Sequence, residues 1–129
     1  MRRSISVPRH FCVGLLAGYL ALSARPVAAK DAPHQRDDKA IQLVADRLHR
    51  FGAKLTAVAP DCMAYQVDKS SSTKVTVLVR EAHNKRCGGD PNTAPTLATF
   101  HVTVKSGRVE IFDVIEDSFS DFDASWKPH

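Results

Sequence analysis

Ile41, Val44, Leu48, Phe51 and Leu55 recur at spacings of three and four, which puts them on one stripe of a helix. Asp37 or Asp38 stands ahead of the stripe as an N-cap, and Gly52 follows it as a C-cap. Arg47, His49 and Arg50 fall near the C-terminal end, where positive charge suits the helix dipole. The spacing therefore predicts an amphipathic helix of about four turns, and its acidic residues dilute the basic outer face enough to favour core packing over a membrane surface. Beyond Pro60 the period changes to two. Met63, Tyr65 and Val67 make one strand, and Val75, Val77 and Val79 a second after the Ser-rich turn Asp68 to Thr73. Ala98, Phe100, Val102 and Val104 make a third. Across Lys105-Ser106-Gly107-Arg108, a hairpin signal, Val109, Ile111 and Asp113 share one face of a fourth strand, with Phe112 and Val114 on the other.

One helix followed by four strands with mostly short turns predicts an α+β domain, the N-terminal helix lying on one face of a four-stranded antiparallel sheet. Past the fourth strand, Ile115, Phe119, Phe122 and Trp126 recur at four, three and four, with Glu116, Asp117, Asp121 and Asp123 between them. That pattern predicts a short C-terminal amphipathic helix or turn whose aromatic stripe covers one edge of the core, with an exposed partner-binding stripe as the alternative.

The N-terminus follows different rules. Arg2 and Arg3 precede an apolar run from Phe11 to Leu22, and Val27-Ala28-Ala29 stands before the charged Lys30-Asp31. This order is that of a secretory signal with cleavage near Ala29. Arg25 and Pro26 end the run well short of the roughly 20 apolar residues that a membrane span needs. The expected organisation is a signal over residues 1–29, a flexible lead over 30–37 and a single domain over 38–129. The address is periplasmic or secreted, with no stable membrane anchor after cleavage.

Removing the signal changes the charge. It carries four of the eighteen basic residues and none of the fourteen acidic ones, so the mature chain is formally neutral and lacks the cationic surplus of a nucleic-acid binder. It also carries Cys12, which leaves Cys62 and Cys87 as a pair. In an exported chain such a pair is read first as a disulfide. These two residues alone supply too few ligands for zinc.

The one long connection, His83 to Pro95, holds Cys87, Gly88-Gly89 and two prolines, and is expected to be an ordered loop. Its Gly-Gly lacks the spacing of a phosphate-binding loop. No Gly-x-Ser-x-Gly is present, and no catalytic residue, metal ligand or cofactor is assigned. Arg80, Lys85 and Arg86 make the loop's entrance basic, whereas Glu110 to Asp123 contains no Lys or Arg. Charge segregation of this kind suits recognition of a folded partner. The candidate binding residues are His83, Lys85, Arg86, Asp90 and Asn92. A second reading is a small periplasmic hydrolase or metal-dependent enzyme that gathers Glu81, His83 and His101. A third is an envelope structural or assembly factor using Phe119, Phe122 and Trp126.

The helix from Asp38 to Phe51, the strand with Tyr65-Gln66-Val67 and the hairpin Val102 to Val114 around Ser106-Gly107 resemble, in their order, the small exported domains grouped as cystatin-like or PepSY-like. The loop Cys87-Gly88-Gly89-Asp90-Pro91 departs from that pattern, and the resemblance transfers no site residue. Such families include exported peptidase inhibitors. The resemblance thus raises the inhibitor reading. Together with the loop and the charge segregation it makes the leading expectation an exported binding protein, most concretely an inhibitor or immunity-type partner of an envelope-acting hydrolase such as a lysozyme or peptidase.

Overall fold

The computed structural model describes residues 33–129. The signal expected over residues 1–29 lies outside the described residues. Helix α1 spans Pro33–Phe51, so Asp37 and Asp38 sit inside it instead of capping it, and residues 33–36 of the expected lead form its first turn. Proline is well suited to the opening of a helix, because its fixed φ is already helical and its missing N–H has no partner to lose there. Ala40, Val44 and Leu48 are its buried positions. Gly52 does not end the helical path; it opens a short 3-10 turn, Gly52–Lys54.

Five strands follow, β1 Met63–Ser70, β2 Val75–Glu81, β3 Thr96–Thr103, β4 Arg108–Asp113 and β5 Ser118–Asp121. They form one antiparallel sheet in the order β1-β2-β3-β4-β5, a meander in which each strand pairs with its neighbours in sequence. The α+β class and the helix-on-sheet arrangement agree with the periodicity. The strand number does not, since β5 stands at the start of the segment where a short C-terminal helix or turn was expected.

Alternation along the strands decides which face the helix covers. Val75, Val77 and Val79 of β2, Phe100 and Val102 of β3 and Phe122 after β5 are fully buried with Ala40 and Val44. Each such aliphatic or aromatic side chain contributes about 1.5–3 kcal/mol by leaving water. Phe122 makes tilted or edge contacts with Phe51, Phe100 and Trp126 at centroid distances of 6.3, 5.3 and 5.1 Å. The aromatic stripe is thus divided. Phe122 and Trp126 belong to the core, Phe119 stacks on His101, and Ile115 is exposed.

Side chains of the helix region tie down the last segment where no ladder does. Arg47 donates to the Phe122 carbonyl at 3.1 Å, and Lys54 donates to the carbonyls of Ala124 and Trp126 at 2.9 and 3.3 Å. Cys62 and Cys87 are joined, with Cα atoms 5.6 Å apart.

Candidate functional site

The meander gives the sheet two unlike ends. At one end lie the short β1–β2 and β3–β4 turns. At the other lie the Ala82–Pro95 loop and the β4–β5 turn; the chain after Asp121 leaves β5 at the first end, beside Arg108, and runs across to the second, where His129 meets Asp113.

The Ala82–Pro95 loop is braced from within. The Ala82 N–H donates to the Cys62 carbonyl at 2.8 Å and the Glu81 N–H to the Pro95 carbonyl at 2.9 Å, closing the loop's base beside the disulfide. Asn84 and Gly88 exchange backbone hydrogen bonds at 3.2 and 2.8 Å. Between them the Asn84 side-chain oxygen accepts from the N–H groups of Arg86 and Cys87, so the basic tip is a tight turn that carries its own cap.

His83 is the strut of the second half. Its Nδ1 lies 2.9 Å from both the Asp90 carbonyl and the Thr93 hydroxyl. A carbonyl can only accept, so the ring's Nδ1–H donates to it. The Thr93 hydroxyl and N–H donate to the same carbonyl, each at 2.9 Å. Gly89, at φ +78°, lies against the His83 ring in space that a Cβ would invade. Nε2 faces Glu81 at 3.5 Å, and the His83 side chain is only 10% exposed.

The five residues read as a binding set therefore play different parts. His83 is turned inward. Asp90 uses Oδ1 to accept from the Asn92 N–H and side-chain amide at 2.9 and 3.2 Å, which fixes a turn before Thr93. Arg86 reaches back to the Asp61 carbonyl at 3.0 Å. Lys85, Arg86, Asp90 and Asn92 are all exposed, and Lys85 is the cation best placed to meet a partner without unbracing the loop.

Glu81, His83 and His101 do not converge. Glu81 stands opposite Met63, a core residue, whereas His101 stands opposite Thr76 on the bare face. The two positions are five residues apart along β2, about 16 Å at strand rise. Among the described residues no group of three or more His, Cys, Asp or Glu is placed to hold a metal ion.

The bare face carries a compact polar network. Glu110, 8% exposed, pairs with Lys74 at 3.5 Å and Arg108 at 3.4 Å, and Arg108 also pairs with Asp121 at 2.7 Å. His101 lies beside Glu110 in register and stacks on Phe119 with centroids 3.6 Å apart. Burial holds its pKa below the ordinary value, helped by the Lys74 charge and opposed by Glu110.

The β4–β5 turn is built around Asp113, whose Oδ1 accepts from the Ile115 and Glu116 N–H groups at 2.8 and 3.2 Å. The Glu116 bond foremost, then the Ile115 bond, holds its carboxyl below the usual range. The turn lifts Val114 and Ile115 into solvent at 82% and 68% exposure. The expectation that Val114 lies on the outer face of the fourth strand is corrected, because β4 ends at Asp113. Two adjacent β-branched residues between acidic ones at a strand end were the sequence signal for this turn; the helical spacing of Ile115 and Phe119 hid it.

No protein-family model, curated protein or solved structure matches the chain.

Proposed function

We propose that the chain is an exported, non-enzymatic binding domain of cystatin-like architecture, periplasmic or secreted, that acts as an inhibitor or immunity-type partner of an envelope-acting hydrolase such as a lysozyme or a peptidase. The observation that carries this reading is the internal bracing of the Ala82–Pro95 loop. The disulfide, the His83 strut and the Asn84 cap use the loop's own groups to fix its shape, while Lys85 and its neighbours stay exposed. A loop held in one conformation before contact loses less entropy on binding. The separation of Glu81 and His83 from His101 removes the convergence that the enzymatic reading needs. Burial of Phe122 and Trp126 withdraws two of the three aromatic residues from the assembly reading.

The test uses purified mature protein against lysozyme-type and peptidase activities prepared from a bacterial envelope. Slowing of one activity, relieved by Lys85→Glu at unchanged melting temperature, supports the loop as the contact. Unaltered rates for both enzyme classes at micromolar domain would discard the inhibitor reading.

A further inference from the structure

The sheet is split. The β3–β4 ladder runs only from Phe100↔Ile111 to Thr103↔Arg108. Beyond it β3 continues through Thr96–Thr99 with β2 on its other side, and β4 continues through Phe112 and Asp113 with β5 on its other side. Two strand edges thus face one another without pairing. The cleft between them has a volume of about 440 Å³ and is lined by Leu97, Thr99, Ile111, Phe112, Val114 and Trp126, among others. Unpaired strand edges are templates for another strand, and proteins normally cover or charge them. At the outer edge of this sheet β1 does so with Asp68, Lys69 and a register shift; the split has no such protection along Thr96–Thr99.

The mouth of the cleft adds charge and apolar surface. Val114 and Ile115 are the large hydrophobic residues most exposed among the described residues. Asp113, Glu116 and Asp117 flank them, within a segment from Glu110 to Asp123 that contains no Lys or Arg. The chain itself illustrates the complementarity, because Pro128 and His129 line the cleft and the His129 Nε2 lies 3.4 Å from Asp113 Oδ2. His129 is 57% exposed, so this contact is easily exchanged for a stronger cation.

We propose that the β3–β4 split is a docking groove for an extended segment of another polypeptide in which apolar residues alternate with Lys or Arg. The segment adds a short strand to the open edge at Thr96–Thr99, places apolar side chains against Trp126, Val114 and Ile115, and sets a cation at Asp113. Main-chain pairing supplies affinity in this mode and alternate side chains supply specificity. The groove is separate from the loop contact proposed above and does not depend on it.

The experiment titrates the mature protein with acetyl-Val-Lys-Val-Lys-Val-amide, its glutamate counterpart, and the lysine peptide N-methylated on alternate amides. Trp126 fluorescence reports occupancy, and amide exchange locates the contact. The lysine peptide is expected to bind, to protect amides within Thr96–Thr99, and to bind at least about tenfold more tightly than the other two. Val114→Ser, at an exposed position, weakens it about tenfold by removing apolar contact. Asp113→Asn, which retains the side-chain oxygen that holds the turn, weakens it about threefold. Absence of binding, equal binding of the lysine and glutamate peptides, or full affinity of the N-methylated peptide overturns the proposal. Unchanged melting temperatures of both variants ensure that lost binding is not lost folding.

Discussion

The two ends of the sheet are built on opposite plans. At the end with the β1–β2 and β3–β4 turns, connections are short and self-sufficient. Ser71 closes the first by accepting from Lys74 N–H and donating to its carbonyl, and Gly107 at φ +72° closes the second. At the other end one connection is long and cross-braced, one turn exposes two apolar residues, and the ladder between β3 and β4 is left open. A plain turn needs only its own residues to be right. The elaborated end needs distant residues to arrive together, and both contacts proposed above are placed there.

The largest expected difference between the ends comes from the disulfide. Replacing both Cys62 and Cys87 by Ser frees a loop with a sequence separation of 25 and should lower stability by about 3 to 4 kcal/mol, read as a shift in the urea midpoint. A smaller loss would mean that the His83 strut holds the loop nearly alone. Glycine substitution compares the ends directly. Gly107→Ala meets open space and bears only the positive-φ penalty, about 1–2 kcal/mol. Gly89→Ala bears the same penalty and also collides with the His83 ring, for a total of about 3 kcal/mol. Equal losses by calorimetry would show that the ring moves aside freely.

Smaller effects follow pH. His101 has a folded-state pKa below its ordinary 6.5, so the unfolded chain takes up the proton first. Its contribution to stability is therefore complete above pH 6.5 and declines as pH falls from 6.5 through the lowered value. His101→Gln should flatten the melting temperature across that window, and a slope that persists would place its origin elsewhere. Asp113 obeys the same sign at lower pH. Its stabilisation of the turn is present above 3.8 and lost as pH falls through its depressed pKa. Protection of the Ile115 and Glu116 amides, relative to their intrinsic exchange at each pH, should fall there, while protection at Gly107 stays unchanged.

The helix and the first four strands were legible because each buries one face and its apolar residues keep one period. The fifth strand was not. Phe119, Phe122 and Trp126 are spaced as a helix would space them, yet Phe119 packs on the bare face while Phe122 enters the core. In a strand of only four residues the alternation is too brief to outweigh that coincidence. The loop's order and its disulfide could be anticipated from Cys87 and the prolines. The inward turn of His83 could not, because it depends on Asp90, Gly89 and Thr93 folding back onto one ring. The open ladder was equally hidden, since each strand reads as ordinary on its own and only their divergence makes the cleft.

Phe122 has a further consequence, in the order in which the molecule comes into being. It contacts Phe51 at the end of the first element, and Arg47 grips its carbonyl across 75 residues of chain. Synthesis proceeds from the N-terminus, so the helix exists long before the ring that seals it against the sheet. The hairpins can zip one after another by local contacts, but core closure waits for Phe122. Until then the helix and the hairpins lack the ring that seals one against the other.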